Sequence, residues 1–253
     1  MVGFNSMIGG TSRRKSSKRS SAPARGADDI LQDPNAAALG RNRSSAASLA
    51  RRVLLALGVL YISAAVVVRG ALASAITAPI EQLYTVLPQV MKAGKGTPFR
   101  QRYDALTPVI DQVFDLEAIL KISVGPQWPA LSPEQQASLR QAFRRYTIAT
   151  YVSNFDGFSG QRFEIQPGSM AAGADEIVQT RIVPASGEPH RLDYVMRQMG
   201  GAWKVVDVLA DGSISRVAVQ RSEIRAVLAR GGAPALLDRL RKKTAEMSGG
   251  QVP

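Results

Sequence analysis

Cysteine is absent from all 253 residues, which removes disulfide scaffolds, thiolate nucleophiles and Cys-ligated metal sites from consideration. Histidine occurs once, as His190 in the loop-like stretch GEPHRL, and a lone loop histidine is far more often solvated than functional. No clustering of carboxylates or histidine has metal-ligand spacing, and no glycine-rich stretch fits a phosphate-binding template. Aromatic residues are scarce in residues 1–50, which are rich in Ser, Ala, Gly, Arg and Lys. Such a segment buries too little surface to offset its chain entropy, so it is expected to be a disordered basic extension.

A long apolar run is also missing. The run over residues 53–68 is short of the roughly 20 residues that a bilayer-spanning helix needs. Arg51 and Arg52 precede it, and Ala71-Leu72-Ala73 follows, the order of a positive flank, an apolar stretch and a small-residue exit. Residues 51–73 therefore read as a secretory signal peptide cleaved after Ala73, leaving a domain over residues 74–253. Uncleaved, the same run would be an anchor, with Arg69 snorkelling to the interface. Export with no later stop-transfer segment points to the periplasm of a Gram-negative bacterium. The formal net charge is +12, but +8 of it lies in residues 1–73, so the high isoelectric point is no nucleic-acid footprint on the folded part.

What remains is patterned. Ile80, Leu83, Leu87, Val90 and Met91 recur at three- and four-residue spacings and predict a helix, with Pro79 in its first turn and Gly94 at its end. Phe99, Tyr103, Leu106, Ile110 and Phe114, then Leu116, Ile119 and Leu120, predict two or three short helices with a start or kink at Pro108. Ser132, Pro133 and Gln135 form an N-terminal capping signature for a helix of about 23 residues, roughly 34 Å long. The period then changes. RFEIQPG, DEIVQTRIVPA, HRLDYVMRQMGG and AWKVVDVLADG are four strand-like runs, with a hairpin signal at MGGAW. QRSEIRAVLARGG and APALLDRLRKKTAEM return to helical spacing.

This order predicts an α+β fold: N-terminal helices, a curved four- to five-stranded antiparallel sheet and C-terminal helices. One strand poses a question. In WKVVDVLADGSIS, a regular pleat sends Val205 and Val206 to opposite faces, and Trp203 and Val208 add apolar area to each, so both faces need cover by protein or by a ligand.

The stretches RRYTIATYVSNFDGFSGQRFEI and MGGAWKVVDVLADGSISRVAVQRSEIRAVLARGGAPALLDRLRKK resemble the toluene-tolerance/MlaC family of periplasmic lipid-binding proteins, and within it the hopanoid-associated branch. The likeness covers residues 78–247, and its pattern falls on Trp203, Asp207, Gly212, Ser213, Arg221 and Leu236 to Leu240. The segment VQRSEIRAVL departs from the Tyr or Asn-Tyr-Arg usual in the family.

The resemblance implies a carrier of a phospholipid or hopanoid-like lipid, with an apolar pocket between sheet and helices. It also implies as partners an inner-membrane ABC or other lipid transporter and an outer-membrane lipoprotein complex, with transient membrane contact, no cofactor and no catalytic residue. On that basis Tyr103, Phe114, Phe143, Tyr146, Thr147, Tyr151, Ile182, Tyr194, Met196, Val206 and Val208 are the candidate lipid-lining residues. Tyr151 and Tyr194 are expected near the mouth, and Met199 joins the flexible lining. Trp128 and Trp203 could face either core or guest.

Two other functions compete: an envelope adaptor without a cavity, and a cup-shaped enzyme with Asp207 as base. Asp207 is expected instead to accept hydrogen bonds from its turn or from Arg221. Arg241, Lys242 and Lys243 read as a solvated helix end, with docking as the alternative.

Overall fold

The computed structural model describes residues 75–252; the basic extension and the signal segment expected over residues 1–73 lie outside the described residues. No described helix is long and apolar enough to cross a membrane. A first helix, α1, covers residues 75–93 and buries Ile80, Leu83, Leu87, Val90 and Met91, the face its spacing marks. It is already helical at 75, so Pro79 stands inside it instead of opening it.

Helix α2 spans Phe99–Val113 and runs unbroken through Pro108, where a start or kink was expected. The break comes at Phe114. This residue is extended, bridges Val205 in parallel, and is followed by an Asp115 N–H donating to the Val205 carbonyl at 3.0 Å. The chain is thus stitched to the sheet edge between two helices. Asp115 then caps α3, Leu116–Val124, by accepting from the Ala118 N–H at 2.9 Å. A short 3-10 turn, Gly125–Ala130, leads to α4, Pro133–Asn154, whose capping box is complete: Ser132 Oγ accepts from Gln135 N–H, and Gln135 Oε1 from Ser132 N–H.

The strands are β1 Arg162–Ile165, β2 Met170–Ala172, β3 Asp175–Val178, β4 Thr180–Val183, β5 His190–Met199, β6 Ala202–Ala210 and β7 Ile214–Ser215. The second expected run is thus split at Gln179, and β2 and β7 extend the sheet beyond the four expected runs. All pairings are antiparallel; β3 and β4 lie along one edge of β5, and β6 along the other. Gly200 and Gly201, both at positive φ, form the tight hairpin joining β5 to β6. His190 opens β5 and is not in a loop.

The β5–β6 register settles the question posed by the Trp203 strand. Asp207 pairs with Val195 and Val205 with Met196, leaving Val206 as an extra residue in a bulge. The bulge shifts the phase of β6, so Val208, Val205 and Trp203 stand opposite Tyr194, Met196 and Gln198 on one face. The two-sided pattern in the sequence is therefore one apolar face with an insertion in it. Val206 is buried, but outside the main core cluster.

Helix α5 runs from Arg216 to Ser248 and is broken at Gly231 and Gly232, whose backbone is non-helical. Gly232 at φ +62° ends one segment and Pro234 opens the next, which fits the two expected helices. Both segments carry buried apolar residues, Ile224 and Leu228 in the first, Leu236 and Leu240 in the second. The fold is α+β as expected.

Candidate functional site

A cavity of about 170 Å³ opens where α4, the α2–α3 junction, strands β5 and β6 and the start of α5 meet. Helix α4 contributes the largest share of its wall. Phe143, Tyr146, Thr147, Thr150 and Tyr151 recur at helical spacings on one side. Phe114, Leu116 and Ile119 close one end, Leu192 and Val208 come from the sheet, and Arg216, Val217, Val219 and Gln220 form the rim on α5. Val219, 39% exposed, and the exposed Arg216 place the opening along the first turn of α5.

The two threonines on the α4 wall are satisfied within their own helix. Thr147 donates to the Phe143 carbonyl at 3.0 Å and Thr150 to the Tyr146 carbonyl at 2.8 Å, so neither hydroxyl needs a partner across the cavity. Desolvation raises the phenols of Tyr146 and Tyr151 above their ordinary value. Both therefore stay neutral at any physiological pH and offer no base.

Asp207 also reaches the wall, but its carboxylate is committed. It accepts from Val208 N–H at 2.7 Å, from Val217 N–H at 3.0 Å and from the Ser215 hydroxyl, tying β6 to the start of α5. The partners are the turn and the helix start; Arg221 is not among them, and its Nε is buried without a hydrogen bond. A carboxylate with three donors already in place has its lone pairs oriented inward, a poor arrangement for a general base.

Of the eleven candidate residues, the structure brings six together around the cavity: Phe114, Phe143, Tyr146, Thr147, Tyr151 and Val208. Tyr103, Ile182, Tyr194, Met196 and Val206 are buried elsewhere in protein. For Tyr194 the physical reason is α1. Tyr84 covers it edge-on, with ring centroids 6.0 Å apart, and its own hydroxyl bonds Thr180 at 2.6 Å. Tyr194 is thus deep in the core and nowhere near a mouth, and desolvation raises its phenol well above the ordinary value. Met199 is 44% exposed at the end of β5, outside the lining. Trp203 packs half-buried against the core; Trp128 is buried under the Arg140 guanidinium, 5.8 Å from its ring, away from the cavity.

The rim residues Arg216, Val219, Gln220 and Glu223 were not anticipated. Their polar spacing reads as a solvated helix face, and nothing local marks that face as bordering a void. Lys243 pairs with Glu246 at 2.7 Å, as a solvated helix end does.

A protein-family comparison matches residues 81–242, from α1 into the second segment of α5, to the family described as MlaC protein. The chain belongs to the MlaC family. Among curated relatives it is similar to the toluene tolerance protein ttg2D of Pseudomonas putida, 24% identical over 111 residues. That match spans 44% of this chain and about half, 52%, of the relative. Among solved structures, the chain is similar to a phospholipid-binding protein from Ralstonia solanacearum in complex with a phospholipid. The TM-score is 0.60 at 22% identity, covering 68% of this chain and 98% of that one, which establishes a shared fold.

Proposed function

We propose that this MlaC-family chain is a non-catalytic lipid carrier of the periplasm. It holds hydrocarbon in the α4–α5 cavity and passes it between an inner-membrane transporter and an outer-membrane complex. The observation that carries this is the cavity itself: an aromatic and aliphatic wall whose threonines and Asp207 are satisfied from within the protein. The phospholipid named with the Ralstonia structure supports the same direction.

The physical need is large. Each acyl chain of roughly 14 methylenes, at about 0.8 kcal/mol each, opposes transit through water by about 11 kcal/mol, and an apolar lining removes that cost. The lining need only match bilayer interior, since a much tighter site would not release its guest. The cavity is comparable to the roughly 150 Å³ that admits a benzene ring in an engineered core. It holds part of one chain as it stands.

The protein purified from cells is extracted into organic solvent and analysed by mass spectrometry. Lipid at near-equal molarity is the expected result. Delipidated protein that neither takes up lipid nor exchanges it with liposomes would overturn the proposal.

A further inference from the structure

Charge is unevenly spread over the domain. Outside α5, residues 75–252 carry thirteen basic and fourteen acidic side chains, whereas α5 carries eight basic and three acidic. The positive surplus therefore lies wholly on one helix. Pairing differs in the same way. Among the described residues, at least nine of the thirteen cations outside α5 are in ion pairs, but of the eight on α5 only Lys243 is.

Arg216 shares the cavity lining with the Asp207 and Glu223 carboxylates, and Arg239 borders a smaller void together with Glu223. Arg225 and Arg230 line neither, and both are exposed. Arg225 lies beside Gly125 at the carboxyl end of α3, where backbone carbonyls offset only part of a unit charge.

Between these two arginines the outward side of the first α5 segment carries no charge. Ala218, Val219, Ser222, Ala226 and Ala229 fall on that side at helical spacings, all exposed. An outward helix face ordinarily carries charged side chains. Here arginines stand at its borders and a low, weakly apolar floor lies between them. Ile214, 44% exposed, and Val219, 39% exposed, extend that floor toward the cavity opening. A bilayer interface accepts this combination, since cations meet lipid phosphates while apolar side chains enter the headgroup region. An acidic protein matches the arginines alone and would have its charges desolvated against the floor.

We infer that the outward face of the first α5 segment is an electrostatic docking surface for an anionic bilayer, with Arg225 and Arg230 on its two borders. It rests on the lipid-carrier proposal for its purpose, because the cavity opens along the same helix.

The test uses the full chain, which has no cysteine of its own. A Ser222→Cys variant carries an environment-sensitive fluorophore, and a Ser186→Cys variant, in the exposed loop between β4 and β5, is the control. Vesicles of phosphatidylethanolamine with phosphatidylglycerol are expected to shift the label at Ser222 to the blue and leave that at Ser186 unchanged. Phosphatidylcholine vesicles, or roughly 1 M salt, abolish the shift. Each label reads its own surroundings, so vesicle binding through the basic residues 1–73 does not imitate the result. Adding Arg225→Gln and Arg230→Gln raises the vesicle concentration needed roughly fivefold per charge, about 25-fold for the pair. The control pair Lys95→Gln and Arg162→Gln removes as much charge from exposed sites off α5 and leaves it unchanged. Melting curves establish that the variants are folded.

A label at Ser222 that stays in water on bound anionic vesicles overturns the docking surface, as does an equal shift on phosphatidylcholine or an equal effect of the two charge pairs. Polyglutamate serves as a soluble polyanion. A response to it with none to vesicles would assign the face to an acidic protein and overturn the bilayer assignment. The organic extract of the same protein reports the carrier proposal separately: lipid in the extract with no docking overturns only the docking surface, and docking without lipid content or uptake overturns the carrier.

Discussion

Around Tyr194 the seam between helices and sheet is solid, and around Tyr151 it is hollow, although the two patches are built from the same kinds of residue. They are even joined. Phe114 meets Tyr151 at 5.4 Å, Tyr151 stacks on Phe155 at 5.8 Å, Phe155 meets Phe163 at 6.2 Å, and Phe163 meets Tyr84, which covers Tyr194. One aromatic chain thus passes from cavity wall to filled core. At its solid end α1 lies over the sheet, with Leu83 and Leu87 of α1 and Tyr194 and Met196 of the sheet fully buried; at the hollow end α5 supplies only a rim. Apolar character is the same in both places. The difference is whether a second element is laid against it.

The sharpest way to break this contrast is to truncate one side chain in the solid patch. Met196→Ala removes a fully buried residue whose space the neighbours cannot refill, and is expected to cost about 2–5 kcal/mol in urea unfolding. A cost below about 1 kcal/mol would mean the solid patch has slack of its own.

Next in size is Asp207→Asn. The amide keeps its oxygen for the N–H groups of Val208 and Val217 but loses the charge and turns a donor toward the Ser215 hydroxyl, so stability falls by about 1–3 kcal/mol. Lipid uptake per folded molecule is retained. Loss of uptake at full stability would give Asp207 a part in the cavity beyond its structural one.

Alkaline titration sharpens the contrast further. The Tyr84 phenol is pushed up to about 12 by burial, against 10 for an exposed phenol. The unfolded chain therefore ionises first: the stability from keeping this phenol neutral is complete below pH 10 and is lost as pH rises toward 12. The slope is about 1.4 kcal/mol per pH unit for each phenol held neutral. Tyr194 and Tyr151 are raised in the same direction. Tyrosinate absorbance and the loss of far-UV circular dichroism should rise together, and phenols that ionise well before unfolding would contradict the burial described.

The smallest effect on stability is expected for Thr147→Trp, which fills the cavity from its own wall. The loss should stay under about 1 kcal/mol, a shift of roughly 2–4 °C in melting temperature, while lipid uptake drops at least severalfold. Unchanged uptake would place the guest elsewhere.

The elements were largely legible. The Ser132 capping box, the 22-residue α4, the Gly200–Gly201 hairpin and the break at Gly231 follow from local rules that tertiary packing did not override. Pro108 and Phe114 were less legible. Pro108 is tolerated within α2, and the helix ends where Phe114 bridges Val205, nearly a hundred residues away in sequence. The six cavity residues came from the aromatic side of α4 and from its neighbours in space. Tyr194 and Met196 carry an indistinguishable signal and lie in solid core.

Periodicity in the chain was sufficient to decide which side chains leave water, because a helix or strand presents its apolar residues at fixed angular intervals whatever covers them. The identity of the cover was decided in three dimensions. An inserted Val206 turned two apolar faces into one, α1 closed one end of the seam, and the start of α5 left the other open. Packing against protein and packing against a guest make the same demand on a single side chain, so only the arrangement of distant elements separates them.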